Sequence, residues 1–307
     1  MPVWVVTGGS GFLGSHLLAR LGIEAQIEVV AVGRRCPAGW SGRFARADFA
    51  DGDQIGRVVG DLHPAVVCHL AGQTPPARPE EFYRGNTLAT VAWLDALRGL
   101  NQAVRVVLAG SASELGPVPI ADLPVDESWT CRPVDPYGLS KWLASAAGLT
   151  ARPPLEVVVA RVFNPIGPGL PASQALGRFV RTLTDGAGDL TLTVGDLAAR
   201  RDFVDVRDVA EAILALASRG ESGRVYHVGS GQSHGVGDGL DQLIAWSGRR
   251  VSIEVDPSFG CPSGPADSRA DIRRMINEVG WSPRIGWEQS LRDLWASVQA
   301  EDRSGSD

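Results

Sequence analysis

The sequence predicts an α/β fold in which a parallel sheet is covered by helices on both faces. Five short runs rich in valine are bounded by turn residues, which is typical of strands buried on both faces. Segments with helical spacing, such as GSHLLARLG and NTLATVAWLDALRGL, lie between them. Strands that alternate with helices form βαβ units, so we predict a doubly wound parallel sheet. The five runs are VWVVT, EVVAVG, AVVCHLA, VRVVLAG and LEVVVARV.

The strand and helix pattern loosens after about residue 164 and indicates a second, smaller unit. The segment NPIGPGLPASQ is too rich in Pro and Gly for regular structure. Beyond it, DVRDVAEAILALASRG predicts an amphipathic helix, and RVYHVGSG predicts a strand that leads into a turn. We therefore predict a first domain at residues 1–164, on which residues 204–219 could also pack. A mixed α/β C-terminal lobe follows at residues 165–300, with a flexible tail at residues 301–307.

Composition narrows the possible partners. The chain has 307 residues, a formal net charge of −6 and no basic cluster, which disfavours nucleic acid. Cys36, Cys68, Cys131 and Cys261 are far apart and form no CxxC pair, so we expect reduced thiols and no metal site. The first residues lack the features of a signal peptide, and no apolar run is long enough to span a bilayer. We expect a cytoplasmic protein with no membrane partner.

The stretch TGGSGFLG, residues 7–14, lies between the first predicted strand and a predicted helix. At such a junction Gly8 permits a tight turn, Gly11 lets the backbone approach a pyrophosphate, and Gly14 permits close helix packing. The setting predicts a Rossmann-type dinucleotide-binding turn, in which Phe12 and Leu13 complete the cofactor contacts. The first domain is therefore interpreted as the dinucleotide-binding domain, and the second as a substrate lobe.

The end of the second strand indicates which cofactor is bound. Gly33 stands where an NAD enzyme often has an acidic residue, and Arg34 and Arg35 offer paired donors to a 2′-phosphate. This favours NADP, with NAD possible; solvated surface arginines are the alternative. Further on, Asp48 and Phe49 are candidates to flank the adenine, although an acidic loop without function has the same pattern.

A candidate catalytic group lies in PYGLSK. Tyr137 and Lys141 are four residues apart at the start of a predicted helix, so they share one face. We expect the ammonium to lower the pKa of the tyrosine and so to help it move a proton; Lys141 could also hold the nicotinamide ribose. The strand VRVVLAG runs directly into SASELG. Ser111 and Ser113 therefore lie just after its carboxyl end, where they should face the glycine turn. A serine there can polarise a substrate oxygen.

A glycine turn, a strand-end serine and a YxxxK helix, in this order, make the chain resemble the extended short-chain dehydrogenase/reductase family. The resemblance covers nearly the whole chain and is to the nucleotide-sugar epimerase, dehydratase and reductase branch. From RVFNPIGPG to VYHVGSG the chain is most similar to GDP-4-keto-6-deoxymannose reductases and the related GDP-mannose 4,6-dehydratases. The motifs that carry the resemblance are TGGSGFLG, HLAG, GNTLATVAWLDAL, GSASELG, PYGLSK, RVFNPIGPG, RRDFVDVRDVAEAI, VYHVGSG and GWSPRI.

The resemblance implies a role for each matching residue. Ser111, Tyr137 and Lys141 match the catalytic triad, with Ser111 selected over Ser113 by its distance from Leu115 and Gly116. A nucleotide-diphosphate sugar is the implied substrate, and a homodimer built through a four-helix bundle is the implied assembly. The implied cofactor contacts are Leu70, Ala71, Gly72, Tyr137 and Lys141, with Asn86 supporting the cofactor loop; the implied substrate contacts are Ser111, Ser113, Asn164 and Arg201.

The chain departs from the family pattern at three places. Leu115 replaces a residue that is usually tyrosine. Ser113 stands where the dehydratases carry a carboxylate, which disfavours dehydration, and the adjacent Glu114 should point elsewhere. Cys261 precedes Pro262 where the family has an arginine, so Arg269 or another cation would help Arg201 to hold the diphosphate. A catalytic thiol at Cys261 is disfavoured because no histidine has sequence support as its base.

Three functional hypotheses follow from these residues. The first is an NADP-dependent reductase of a nucleotide-linked 4-keto-6-deoxyhexose. The second is a nucleotide-sugar epimerase that uses the same triad with tightly bound NAD(P). The third is a non-catalytic NADP-binding protein. The helical segments NTLATVAWLDALRGL and YGLSKWLASAAGLT have apolar stripes that either form the dimer surface or belong to the core.

Overall fold

The computed structural model describes residues 1–256 and 265–304. Helices cover both faces of a seven-stranded sheet, and a smaller group of helices and strands packs at one end. The strands are β1 Val3–Thr7, β2 Glu28–Gly33, β3 Arg43–Arg46, β4 Val66–His69, β5 Val104–Ser111, β6 Leu155–Val162, β7 Asn164–Ile166, β8 Leu190–Val194, β9 Arg200–Arg201, β10 Phe203–Asp205, β11 Val225–Val228, β12 His234–Gly235 and β13 Val251–Val255.

Helices connect most of the sheet strands. The short helix α3 continues through a π-helical turn, Tyr83–Leu88, into α4, and the turn after β5 is a 3₁₀ helix, Ala112–Glu114. The α-helices are α1 Phe12–Leu21, α2 Gly52–Leu62, α3 Pro79–Phe82, α4 Ala89–Arg98, α5 Pro136–Leu149, α6 Ala175–Thr184, α7 Val206–Arg219, α8 Val236–Ser247 and α9 Trp287–Ser304. None of the helices within the described ranges is both long and apolar enough to cross a membrane.

The central sheet has the order β11-β6-β5-β4-β1-β2-β3, and its strands are parallel. The valines of β1, β2, β4, β5 and β6 are mostly buried, because helices cover both faces. Strand order reverses beside β1, with β2 and β3 on one side and β4 on the other. This confirms the predicted doubly wound α/β fold, and it places a crevice at the carboxyl ends of β1 and β4.

The sequence pattern does not predict β3, and it does not place the predicted strand β11 in the central sheet. β3 reads RFAR, with exposed arginines at both ends and no valine run, because it forms the sheet edge. β11 pairs with β6 at the opposite edge. The sequence division assigns residues 225–228 to the substrate lobe, and the structure corrects this: they belong to the central sheet. The preceding helix α7 packs on α1, β5 and β6.

The C-terminal lobe has a hydrophobic core of its own. Helices α6, α8 and α9 contribute Phe179, Leu243 and Leu294, among others, and β8 pairs with β13 beside them. The helix α9 continues to Ser304, so it extends into the segment for which the sequence predicts a flexible tail. The division of the chain into a dinucleotide-binding domain and a substrate lobe as a whole stays a prediction.

Helix α2 offers a test of how glycine limits stability in this fold. Gly56 lies in the middle of α2, is exposed, and has no atom within 4 Å of the position that a Cβ would occupy. We expect Gly56→Ala to raise the free energy of unfolding by about 0.5–1 kcal/mol, because alanine loses less backbone entropy on folding. Urea unfolding monitored by circular dichroism measures this. An unchanged or lower unfolding free energy would contradict the expectation.

Candidate active site

A cleft of about 420 Å³ lies at the carboxyl ends of β1, β2 and β4. We call it the switch-point cleft, because open parallel sheets bind ligands where the strand order reverses. Ser10, Gln73 and Arg84 also line it, although they were not among the predicted cofactor residues. Six predicted cofactor residues do not line it: Phe12, Leu13, Gly14, Asn86, Tyr137 and Lys141. The predicted cofactor residues that line the cleft are Gly8, Gly11, Arg34, Arg35, Asp48, Phe49, Leu70, Ala71 and Gly72.

The glycine turn is closed by backbone contacts. Gly8 has φ +72°, and a Cβ there would lie 2.6 Å from the Ala71 nitrogen. A Cβ on Gly14 would lie 2.1 Å from the Gly8 carbonyl oxygen, so α1 can approach the turn only through glycine. Gly11 provides no side-chain cap to α1. The first-turn N–H groups are therefore available to an anion.

Thr7 holds the loop after β4 against this turn through hydrogen bonds of its hydroxyl. Its buried hydroxyl lies 3.0 Å from His69 Nδ1 and accepts a hydrogen bond from the Ala71 N–H at 3.1 Å. Burial, together with a smaller effect of the Lys141 ammonium, lowers the pKa of His69 to about 3. His69 is therefore neutral near pH 7, and it contributes a hydrogen bond rather than a charge.

The side chains at the far end of the switch-point cleft differ in how they are held. Arg34 and Arg35 are exposed, and neither makes a hydrogen bond or ion pair with the described part of the chain. The Asp48 carboxylate accepts the Ala50 N–H at 3.0 Å and so stabilises its own turn. The Phe49 ring packs edge to face on Trp93, with 5.6 Å between ring centroids. The arginines are thus the groups left with free donors.

Asn86 joins the cofactor loop to the helix that carries Tyr137. It is buried in the π-helical turn, a local geometry that is frequent at functional sites. Its Oδ1 accepts the Gln73 N–H at 2.7 Å, and its Nδ2 donates to Ser140 Oγ at 2.8 Å. Ser140 Oγ in turn donates to the Tyr137 carbonyl at 2.7 Å. The sequence pointed to Asn86 but not to Ser140, whose role depends on this contact.

Helix α5 brings the predicted triad together. Asp135 caps the helix by accepting the Gly138 N–H at 2.8 Å, and Pro136 occupies its first position. The Ser111 hydroxyl lies close enough to the Tyr137 phenol to lower the pKa of the phenol. One turn later, Lys141 Nζ donates to the Ala109 carbonyl at the end of β5. The three side chains therefore meet at the carboxyl end of β5.

The protonation of Tyr137 differs from the sequence expectation. The prediction that Lys141 lowers the pKa of Tyr137 is wrong: burial of the phenol raises the pKa, and the nearby Ser111 hydroxyl offsets this only partly. The Lys141 ammonium is engaged by the Ala109 carbonyl. Burial also lowers the pKa of Lys141, and the Glu114 carboxylate opposes that effect. Tyr137 is therefore a protonated phenol at neutral pH.

A second cavity, of about 590 Å³, lies between Tyr137 and the C-terminal lobe. We call it the apolar cavity. Of the predicted substrate residues, Ser113, Asn164 and Arg201 line it, together with Tyr137, whereas Ser111 and Arg269 do not. Its apolar wall consists of Pro75, Pro76, Ala77, Phe82, Ala112, Leu115, Val118, Leu123, Val125, Val134, Pro136, Phe163 and Pro265.

Two polar side chains that line the apolar cavity donate to backbone carbonyls. Arg201 Nη1 donates to the Pro265 carbonyl at 2.7 Å, and Asn164 Nδ2 donates to the Asp202 carbonyl at 3.3 Å. Arg269 points elsewhere, with Nη2 3.4 Å from the Leu123 carbonyl. Cys261 and Pro262, where the sequence departs from the arginine of the family, lie outside the described residues.

Glu114 is a residue whose contacts the sequence did not reveal. It points away from the apolar cavity, as the register of Ser113 predicts, and its side chain is fully buried. There it pairs with Arg161 of β6 at 3.0 Å. No local signal could have found this pair, because 47 residues separate its members.

The chain is similar to known proteins over nearly its whole length. The profile of the NAD dependent epimerase/dehydratase family matches residues 4–229. The chain is 33% identical to GDP-6-deoxy-D-mannose reductase from Pseudomonas aeruginosa, over 97% of each protein. It is 30% identical to dTDP-6-deoxy-L-talose 4-dehydrogenase (NAD(P)(+)) from Kitasatospora kifunensis, over 95% of this chain and 94% of that protein. The solved structure of RMD from Pseudomonas aeruginosa complexed with NADPH superposes with a TM-score of 0.85 at 31% identity, over 98% of this chain and 100% of that chain.

Proposed function

Because the chain belongs to the NAD dependent epimerase/dehydratase family, we propose that it is an NADP-dependent reductase of a nucleotide-linked 4-keto-6-deoxyhexose. Family membership confirms the resemblance predicted from the motifs. The observation that carries the proposal is the position of the Ser111–Tyr137 pair and Lys141. Tyr137 lines the apolar cavity, and a Cβ on Gly72 of the switch-point cleft would lie 3.9 Å from Lys141 Nζ. The triad therefore joins the two cavities.

The switch-point cleft fits a dinucleotide with a 2′-phosphate. The turn at Gly8 and Gly11 leaves space for a pyrophosphate, and the first turn of α1 offers N–H groups to it. Arg34 and Arg35 have free donors at the end of β2, where a 2′-phosphate is read. Phe49 lines the same end and suits the adenine. When bound, the nicotinamide supplies the hydride.

The side chains then divide the work of ketone reduction. As hydride reaches the sugar carbonyl carbon, Tyr137 gives its proton to the carbonyl oxygen, so that a secondary alcohol forms. Ser111 donates a hydrogen bond to the oxygen while negative charge develops on it. Because Tyr137 is protonated at neutral pH, it is ready for this direction of the reaction. Lys141 holds the nicotinamide ribose beside Ser111 and Tyr137.

The apolar cavity supports a deoxyhexose as the substrate. Phe82, Val134 and Pro136 surround Tyr137 with apolar surface, which accommodates a C6 methyl group better than a hydroxymethyl or carboxylate. Arg201, with Asn164, supplies polar groups for the nucleotide diphosphate. The names of the two relatives, a GDP-6-deoxy-D-mannose reductase and a dTDP-6-deoxy-L-talose 4-dehydrogenase, are in line with this substrate class.

The function is tested by incubating the purified protein with NADPH and GDP- or dTDP-linked 4-keto-6-deoxyhexoses. We expect one NADPH to be oxidised per sugar reduced, and mass spectrometry should find the sugar heavier by two hydrogens. No oxidation of NADPH with either nucleotide class would overturn the proposal as stated.

An epimerase is the second candidate, because the family includes epimerases as well as dehydratases. It would retain its cofactor and isomerise the sugar with no net redox change. Denaturing the purified protein and analysing the released nicotinamide separates the candidates. Retained NAD(P) together with isomerised UDP- or GDP-hexose would favour the epimerase.

We expect the double substitution Arg34→Ser with Arg35→Ser to reverse the cofactor preference. The Kd for NADPH should rise about 10–100-fold, since one hydrogen bond to a charged group contributes about 1.5–3 kcal/mol. The Kd for NADH should hardly change, because NADH has no 2′-phosphate. Fluorescence titration with both cofactors measures this, and Arg250→Ser, at a side chain 87% exposed in the C-terminal lobe, is the matched control. Equal losses for the two cofactors would contradict it.

We also propose that two copies of the chain pair through α4, α5 and the π-helical turn that precedes α4. Leu88 and Trp142 support this, because they lie on these elements with 62% and 38% of their surface exposed. Sedimentation equilibrium with Leu88→Glu tests it.

Cytoplasmic location is proposed with the function, since NADPH and nucleotide sugars are supplied there.

A further inference from the structure

The carboxylate of Glu114 uses both oxygens inside the protein. Oε1 accepts the Ser111 N–H at 2.7 Å and the Ser145 hydroxyl at 3.0 Å. Oε2 accepts from Arg161 Nε at 3.1 Å and Nη2 at 3.0 Å. The side chains of Glu114 and Arg161 are 0% and 4% exposed. The pair thus ties β6 and α5 to the residue that carries the Ser111 hydroxyl.

Such a pair is a poor source of stability. Removing two charges from water costs about as much as their attraction returns, and apolar replacements are often neutral or stabilising. A shorter polar residue at position 114 could still cap the turn after β5. The charge of Glu114 therefore calls for a reason beyond folding, and its neighbours supply one.

Glu114 lies one contact away from the proton donor. It holds the Ser111 backbone N–H, and the Ser111 hydroxyl is near enough to Tyr137 to influence the pKa of the phenol. Its negative charge also acts directly on Tyr137 and on Lys141, and in both it favours the protonated form. Asp135, at the start of α5, acts on Tyr137 in the same direction.

We propose that Glu114, held by Arg161, is a positioning residue that orients Ser111 toward Tyr137 and keeps the Tyr137 phenol protonated until the ketone accepts its proton. The inference deepens the proposed function and rests on it. A negative charge behind the triad discourages loss of a proton from Tyr137. The neighbouring Arg161 neutralises the pair as a whole, so that the core does not contain a net charge.

The other groups around the pair do not change charge near neutral pH. On the far side of Arg161 lie His227 Nε2 at 3.3 Å, from β11, and Cys131 Sγ at 3.2 Å. Burial lowers the pKa of His227 to about 3, although Asp126 opposes this effect and Arg274 adds to it. Burial raises the pKa of the Cys131 thiol. Both groups are thus neutral near pH 7.

The test measures the ionisation of Tyr137 directly. The chain has three tyrosines, so ¹³C labelling of the tyrosine ring gives three signals, and Tyr137→Phe identifies the relevant one. The signal is followed against pH in the full-length protein, with and without NADPH. In Glu114→Gln the ratio of tyrosinate to tyrosine at a given alkaline pH should rise about tenfold. The substitution removes a buried negative charge that disfavours ionisation of the Tyr137 phenol. The alkaline limb of kcat should move to lower pH with it.

Two further variants separate charge from structure. Glu127→Gln is the matched control: Glu127 is 3% exposed, pairs with Arg274 at 3.4 Å and accepts the His227 N–H, but it does not touch the triad. It should lower stability and leave the Tyr137 titration unchanged. Glu114→Gln with Arg161→Gln removes both charges, and its midpoint should lie between those of Glu114→Gln and the wild type. If Glu114→Gln does not fold, this double variant decides, through a midpoint below that of the wild type.

The inference is overturned if Glu114→Gln titrates like the wild type, or if Glu127→Gln shifts Tyr137 equally. It is also overturned if the double variant, as the deciding protein, keeps the wild-type midpoint. The proposed function can fail separately. A lowered Tyr137 midpoint without any oxidation of NADPH would retain the electrostatic role and reject the reductase. Turnover with an unchanged midpoint would do the reverse.

Discussion

Tyr137→Phe should lower kcat for ketone reduction by about 10²–10⁴-fold, the usual contribution of a positioned general acid. Tyr137 lines the apolar cavity, and its phenol carries a proton at neutral pH. Phenylalanine keeps the ring contact with Phe82, whose centroid is 5.6 Å away, so the pocket should retain its shape. NADPH oxidation at saturating sugar measures the loss.

Binding and folding should be nearly unaffected by this change. The Kd for NADPH should remain close to that of the wild type, because Tyr137 does not line the switch-point cleft. Tyr83→Phe is the matched control, since Tyr83 lies in the π-helical turn outside both cavities, and it should keep full activity. If Tyr137→Phe retained more than about a tenth of kcat, Tyr137 would not be the proton donor.

Gly14→Ala should disable the switch-point cleft. The added methyl group would lie 2.1 Å from the Gly8 carbonyl oxygen and 2.7 Å from the Gly8 carbonyl carbon, so the turn and α1 must separate. Overpacking of this kind costs about 1–3 kcal/mol of unfolding free energy. The displaced turn should also lower kcat/KM for NADPH by about 10²-fold, because a shift on the order of 1 Å in a positioning element costs that much.

Gly56→Ala provides the comparison for Gly14→Ala. The substitution is chemically the same, but at Gly56 the methyl group enters open space on α2. Urea unfolding and NADPH saturation curves should therefore separate the two variants in both stability and kcat/KM. If Gly14→Ala bound NADPH like the wild type, α1 would not need to approach Gly8 as closely as the structure shows.

Local patterns account for most of the central sheet. The valine runs predict β1, β2, β4, β5 and β6, because a strand covered by helices on both faces must be apolar at nearly every position. β3 carries no such pattern, since an edge strand is half exposed. β11 has a strand pattern, but its partner β6 lies more than sixty residues earlier. Which sheet a strand joins is set by tertiary packing, which a single sequence does not display.

The candidate site divides in the same way. The glycine turn and the Tyr137–Lys141 spacing are local, so their elements could be predicted from the sequence. The pKa of Tyr137 could not, because its direction depends on burial, and the sequence interpretation counted only the charge of Lys141. Glu114, in the 3₁₀ helix after β5, meets Arg161 of β6, and Ser140 acquires a role only when Asn86 lies against it. These contacts depend on the folded chain.

The pairing of β11 with β6 governs how the protein can be taken apart. After β6 the chain leaves the central sheet and forms β7, α6, β8, β9 and β10. It then returns to the sheet through α7 and β11 before it leaves again. A fragment that ends at residue 164 would expose the backbone donors and acceptors of β6 along a flat valine-rich edge, which invites intermolecular strand addition. The half that is predicted to bind a dinucleotide therefore cannot be excised by a single cut. An insertion or fusion is better placed in an exposed loop away from both cavities, such as residues 185–189 between α6 and β8, than at the predicted boundary between the two units.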